Sequence, residues 1–429
     1  MKKLIIYIAP LVVFVFMSFL AAEVIIRVFD VSCFSFKNPF TKNLGIWGPD
    51  PISGHDFTEN YPETNFAFKD DEYAIWTNEL GCFDKPYIGE TNYTLLVGGS
   101  ITWGYSPFEH IHGYHIENMT GERVLKCGIP GYGTKEELIK IEKVVKKTGK
   151  SPGLIILGYS MDDIDNDYIF PGITVIDGYR VDQTVISDMN TGTKIIRGRD
   201  ELRERLNNTL KYGSSIEPAT LREKLQIWLI NNSILYNSIR DNIAIRKIFF
   251  RIGLASKQEV EQQFHYISNS LFYREPEGIP WLQKAWENHF NNLREVKNLA
   301  DKLGAKLLVI HIPPREAIYK FLNTAFNNDA YDRGNKRLAA FFEREGIAYL
   351  DLTSEFIKYS NRESRKELDS LRDLFWRCDP HVNKKGNYLT GLLVSQYILE
   401  NRLVNTGDVK EKLARIEEEL KGVKELEIH

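Results

Sequence analysis

Five short apolar runs punctuate this chain, and the segments between them repeat their apolar residues at helical spacing. TLLVGGS (94–100) and RVLKCGIPGYG (123–133) each read as a strand running into a glycine turn. GLIILG (153–158), KLLVIHIPP (306–314) and IAYLDL (347–352) read as three more. Short, continuously apolar strands are those covered on both faces. After the second, KEELIKIEKVVKK sets Leu138, Ile141, Val144 and Val145 on one helical face. WLQKAWENHFNNLREVKNLADKLGA, ending at Gly304, precedes the fourth strand, and RGNKRLAAFFEREG precedes the fifth. Strands alternating with helices predict a parallel five-stranded sheet between two helical layers, a three-layer α/β/α fold.

Four stretches stand outside that alternation. Lys2 and Lys3 precede residues 4–22, an uncharged run of 19 residues. As a helix it would reach about 28 Å, close to one hydrocarbon thickness. The run exceeds the apolar core of a signal peptide and has no A-x-A site, so residues 1–28 are expected to be an uncleaved transmembrane signal-anchor helix in the lipid bilayer. The lysines keep the start in the cytoplasm, and Glu23, Arg27 and Asp30 nearly cancel beyond it. The C-terminal bulk is then expected outside the cytoplasm, at the cell surface or in a periplasm. That side is oxidising, so some of Cys33, Cys82, Cys127 and Cys378 could pair, in any of three complete ways.

Residues 29–92 read as an irregular extension, rich in Pro, Gly, Asn and aromatics. The α/β domain takes 93–404. About 165–280 form an insertion, first as an extended hairpin in DNDYIFPGITVIDGYRV and then as helix through LREKLQIWLINNSILYNSIRDNIAIRKIFFRIG. An insertion of that length is either a cap over the site or an oligomer or scaffold surface. In 405–429, Val409, Leu413, Ile416 and Leu420 mark a charged amphipathic helix, expected as a solvated face or a homo-oligomer contact. The net charge of −3 and pI of about 6.4 leave no electrostatic footprint for nucleic acid. With 43% hydrophobic and 26% charged residues, disordered, collagen-like and multi-span classes are excluded.

Ligands of open parallel sheets bind beyond the carboxyl ends of the strands. There the chain carries VGGSITWG with Ser100 on a tight turn, CGIPGYG with glycine amides free to approach a ligand, and LGYSMDD. WRCDPHVNKKG near the end puts His381 two residues after Asp379. A serine needs a base to become a nucleophile, and the base needs an acidic orienter. Trp103, Tyr105 and Tyr132 flank the turns and could stack on sugar rings, while Arg315 could meet an anionic substrate. No metal or other cofactor is expected. His110, His112 and His115 fall where a helix should begin, and the acidic run from Asp162 to Asp167 lacks the 12-residue calcium loop.

Taken in order, these blocks resemble the SGNH hydrolase superfamily, the GDSL lipase and acylhydrolase family, from about Tyr93 to Glu400, and Gly98-Gly99-Ser100 resembles the Gly-Gly-Ser-x-Thr variant of anchored bacterial members. The resemblance implies a flavodoxin-like sheet, Ser100 as nucleophile, His381 as general base and Asp379 as its orienter. It implies an oxyanion hole from the Ser100 amide, the Gly131 amide and a third donor, with Asp162 at the place usually held by Asn. Asn383 and Gly386 match the family's last block, although Asp-Pro-His replaces the commoner Asp-x-x-His and sets Cys378 at the earlier position. An ionised Asp162 would have no proton to donate. The expected activity is a serine esterase or O-acyltransferase acting on a small acyl ester, such as O-acetyl on a cell-surface glycan. The rival is a catalytically impaired carbohydrate-binding or assembly component that kept the fold.

Overall fold

The computed structural model describes residues 45–67, 71–212, 270–319, 328–361 and 368–428, with residues 10, 13–14, 17–25, 225, 228–229, 233, 235–236 and 322. Its central sheet has five parallel strands: β1 (Thr94–Gly98), β2 (Val124–Gly128), β3 (Leu154–Tyr159), β4 (Lys306–His311) and β5 (Ala348–Asp351). They lie in the order β5-β4-β3-β1-β2, which is the doubly wound flavodoxin order. The chain reverses its winding between β1 and β3, the crevice where such sheets bind ligands.

Alternation along the strands sorts their side chains into two cores. Leu95, Val97, Ile155, Leu157 and Val309 point to the layer of α3 (Thr134–Thr148), α5 (Pro280–Leu303) and α6 (Asn328–Glu345). Leu96, Leu154, Ile156, Leu308 and Ile310 point to α2 (His112–Thr120), α7 (Lys384–Glu400) and α8 (Val409–Gly422). Two short helices, α1 (Ser100–Trp103) and α4 (Asp163–Ile169), open directly from the ends of β1 and β3.

One expectation changes. The extension is not irregular: it forms antiparallel hairpins, Trp47–Asp50 with Gly54–Phe57 and Thr64–Ala67 with Glu72–Ile75. Their aromatic residues, Phe57, Phe66 and Tyr73, join Phe83, Trp103 and Phe108 in a third buried cluster. The Cys82–Cys127 disulfide ties the extension to β2. Helix α8 packs its apolar side on this chain's own core, with Ile416 and Leu420 buried beside α7, while its charged side stays solvated as expected.

The chain divides into two compact units, Met1–Asn38 with Arg203–Tyr266 and Pro39–Leu202 with Ile267–His429. The second holds the sheet, and the expected insertion hairpin appears in it as Ile173–Ile176 with Tyr179–Asp182. In the first, Glu23 accepts hydrogen bonds from the Ser233 hydroxyl (2.8 Å) and the Leu235 amide (2.9 Å). Of the apolar run 4–22, residues 10, 13–14 and 17–22 are described and helical; the remainder, and most of the expected insertion helix, lie outside the described residues. Among the described residues no helix is long and apolar enough to cross a membrane.

Candidate active site

Strand register sets Gly98 of β1 level with Gly128 of β2 and Gly158 of β3. A side chain at any of them would collide with α1: a Cβ on Gly98 or Gly158 would sit 1.9 Å from Thr102 Oγ1, and one on Gly128 2.5 Å from the Trp103 amide. Bare backbone at the strand ends therefore lets α1 lie directly on the sheet. Ser100 is the first residue of α1.

The imidazole arrives from the other end of the chain. A bridge between Phe375 and Val382 closes a loop over residues 375–382. Asn383 caps α7 by accepting the Gly386 amide at 2.9 Å, and its own amide group donates to the carbonyls of Ser370, Asp373 and Phe375. On this pinned loop His381 Nε2 lies 2.8 Å from Ser100 Oγ. Its Nδ1 lies 2.5 Å from Asp379 Oδ1, which also accepts the His381 amide at 3.0 Å. A carboxylate only accepts, so Nδ1 carries the proton and Nε2 turns its lone pair to the hydroxyl. The His381 side chain is 18% exposed and Asp379 9%, which leaves the base reachable and its orienter sheltered.

Residues that the sequence did not single out hold this arrangement. Asn387 on α7 donates to the Gly104 carbonyl (2.8 Å) and the Ser106 hydroxyl (3.2 Å), tying the exit of α1 to the helix that follows His381. Its Oδ1 lies 2.9 Å from His112 Nδ1, so that histidine, weighed as a metal ligand, is engaged inside the fold. The Trp376 indole donates to the Tyr105 carbonyl at 3.1 Å.

Three proposed substrate contacts read differently in place. Trp103 is only 4% exposed, its ring packed among Phe57, Phe66, Phe83 and Tyr105. Tyr132 is 2% exposed and donates its hydroxyl to the His55 carbonyl at 2.8 Å. Both are core residues, because the hairpins of the extension cover the faces that would otherwise meet a sugar. Arg315 donates from Nη1 to the Asp379 carbonyl at 3.0 Å and from Nε to Glu316 at 3.1 Å, so it braces the acid loop.

At the proposed oxyanion hole Gly131 has φ +87°, in the left-handed region that favours glycine. Asp162 stands just before α4, and its Oδ1 accepts a hydrogen bond from the Ser160 hydroxyl. At this position it acts as an acceptor, where an Asn could donate.

Behind it lies a group of buried carboxyls. Burial, then the charge of Glu137, holds Asp163 well above the usual carboxylate range, and burial, then the charge of Asp167, does the same for Glu137. Among the described residues neither Glu137 oxygen has a hydrogen-bond partner. Burial also pushes Asp165 up to about 7, against hydrogen bonds from Ser270 and Leu271. Asp167 is engaged otherwise, 2.6 Å from His289 Nδ1. Among the described residues no group of three or more His, Cys, Asp or Glu is placed to hold a metal ion.

No protein-family model and no curated protein matches the chain. Among solved structures it is similar to a protein assigned as an acylhydrolase from Bacteroides fragilis NCTC 9343, at 13% identity over 75% of this chain and 92% of that one, TM-score 0.34. It is similar to a protein of the G-D-S-L family from Desulfitobacterium hafniense DCB-2, at 10% identity over 73% and 100%, TM-score 0.33. A GDSL-like lipase from Bacteroides thetaiotaomicron VPI-5482 aligns at 12% identity over 74% and 92%, TM-score 0.31. At these scores the likeness carries no weight for the chemistry, which rests on the geometry of the site.

Proposed function

We propose that the protein is a serine esterase or acyltransferase of the SGNH type. One observation carries this reading: Ser100 Oγ, His381 Nε2 and Asp379 Oδ1 form a continuous hydrogen-bonded line at the carboxyl end of β1. In this reading Ser100 Oγ attacks the ester carbonyl carbon while Nε2 takes its proton, and the carbonyl oxygen becomes an oxyanion facing the Ser100 and Gly131 amides. Collapse breaks the bond to the leaving alkoxide, which receives the proton from His381, and an acyl-serine remains. Water or an acceptor hydroxyl then gives its proton to Nε2 and takes the acyl group, restoring Ser100. Asp379 keeps Nδ1 protonated and stabilises the imidazolium that forms twice in the cycle.

The chain is further proposed to be anchored by its apolar start with the sheet-bearing unit outside the cytoplasm. The Cys82–Cys127 disulfide supports that side, since such bonds persist in oxidising compartments. O-acetyl groups of a surface glycan are then the proposed substrate class. Asp162 favours a second reading, a glycan-binding or assembly component without turnover, because it removes a donor from the oxyanion hole.

A fluorophosphonate probe separates the two. The esterase reading expects stoichiometric labelling that Ser100→Ala abolishes and His381→Ala slows at least ~10²-fold. An unlabelled wild type, or labelling that survives Ser100→Ala, overturns it.

A further inference from the structure

The proposed oxyanion hole has a carboxylate where a third donor is expected, and a cation lies beside it. Arg180 sits on the hairpin Ile173–Ile176 with Tyr179–Asp182, opposite Val175. This hairpin lies on the GIPG turn: a Cβ built on Gly131 would be 2.1 Å from Arg180 Nη2, 3.3 Å from its Cζ and 2.9 Å from Ile173 Cδ1. Adding one carbon–carbon bond of about 1.5 Å puts the guanidinium within about 3.6 Å of the Gly131 Cα. Glycine is required here twice over, by its φ and by the arginine that occupies the space of a side chain.

The guanidinium is held in place. Its Cζ stands 4.4 Å from the centroid of the Trp47 ring, a cation–π contact, and Trp47 in turn rests on Phe57 at 4.7 Å. His55 lies nearby with Nε2 3.1 Å from the Pro130 carbonyl, so both side chains engage the turn that carries Gly131. Burial, with the Arg180 charge next, pushes His55 down to about 3, which keeps it neutral. Arg180 is therefore the cation of this corner, and the extension's first hairpin helps to fix it.

We propose that Arg180 supplies the positive charge that stabilises the tetrahedral oxyanion, compensating for Asp162 in place of the missing donor; this rests on the serine-esterase reading. No bond is made or broken by Arg180. The negative charge appears on the carbonyl oxygen as Ser100 adds, within a few ångströms of the Gly131 amide, and the guanidinium field acts on it there. A cation fixed before the reaction needs no reorganisation when that charge develops, which is where such groups are most effective. A donor can be lost from the hole while turnover continues, provided the sum of positive potential is kept.

The test is the second-order rate of fluorophosphonate labelling at Ser100 in the full-length protein, since phosphonylation builds up charge on the same oxygen. Arg180→Gln is expected to slow labelling ~10–100-fold. Arg180→Lys, which keeps the charge, is expected to stay within about threefold of wild type, with unchanged near-ultraviolet circular dichroism. In an Asp162→Asn background, where the donor is restored and the opposing charge removed, Arg180→Gln is expected to cost less than threefold. Labelling of Arg180→Gln at the wild-type rate, or an equal loss in both backgrounds, overturns the role of Arg180 and leaves the esterase reading standing. If Arg180→Gln does not fold, a folded Arg180→Lys slowed more than tenfold overturns it as well. An unlabelled wild type sinks the esterase reading itself, and this inference with it.

Discussion

The ring of Tyr105 lies against the imidazole of His381, centroids 4.1 Å apart and planes inclined by 34°. Tyr105 reaches that position from a backbone with φ +40°, a conformation uncommon for a residue with a side chain. Its carbonyl is tied to the Trp376 indole, so the strained turn after α1 and the loop before His381 are locked together. The ring thus limits the rotation of the base about its own bonds. Tyr105→Leu is expected to lower kcat for p-nitrophenyl acetate ~10-fold with little change in KM, while Tyr105→Phe keeps most of the activity. Equal kcat in wild type and Tyr105→Leu would remove this orienting role.

Asp162 sets up the sharpest test of the oxyanion hole. An amide at this position can donate where a carboxylate cannot, and one such donor is worth ~10²–10³ in rate. Asp162→Asn is accordingly expected to hydrolyse p-nitrophenyl acetate at least ~10-fold faster than wild type near pH 7. If it is no faster at any pH from 5 to 9, the side chain at 162 does not face the oxyanion.

The buried pair Glu137 and Asp163 makes stability depend on pH in a direction opposite to that of salt-bridged acids. Burial raises both above the ordinary value, 4.5 for Glu137 and 3.8 for Asp163. The folded chain then binds more protons than the unfolded one above those values, so this contribution is complete below about pH 4 and is lost as pH rises through the folded values. Glu137→Gln, neutral at every pH, is expected to flatten the fall in Tm between pH 5.5 and 8.5 and to raise Tm at the upper end by ~2 °C or more. Parallel Tm–pH curves for the two proteins would show that Glu137 does not titrate in the folded state.

Cys82 and Cys127 are joined across a sequence separation of 45, linking the extension to the sheet. A loop of that size, on the chain-entropy estimate, contributes roughly 4 kcal/mol. Replacing both by serine should lower the urea unfolding free energy by about 2–4 kcal/mol. A change below about 1 kcal/mol would mean that the hairpins and their aromatic cluster hold the extension without the bond.

Much of the frame is local in origin and was therefore readable. Apolar runs such as LLVG and LIILG specify buried strands by composition and length alone, and the glycines that end them specify turns by lacking a Cβ. The helix from 280 to 303 announces itself by spacing and by Gly304. Where local signals were weak the reading failed: the segment 45–75 lacks clean alternation, yet pairs into hairpins because its aromatics find Trp103 and Phe83 to bury against. The same burial moved Trp103 and Tyr132 from the substrate to the core, and drew Ile416 and Leu420 of α8 inward.

By itself the sequence determined which residues carry reactive groups and that they stand at strand ends or just ahead of a C-terminal helix, because strand period and glycine sterics act over a few neighbours. Only the tertiary structure decided that Ser100 and His381, 281 positions apart, stand within hydrogen-bond reach, that Asn387 and Tyr105 fix them, and that Arg180 fills the space beside Gly131. Such meetings depend on sheet register and on how separate layers pack. No local property of the chain encodes them.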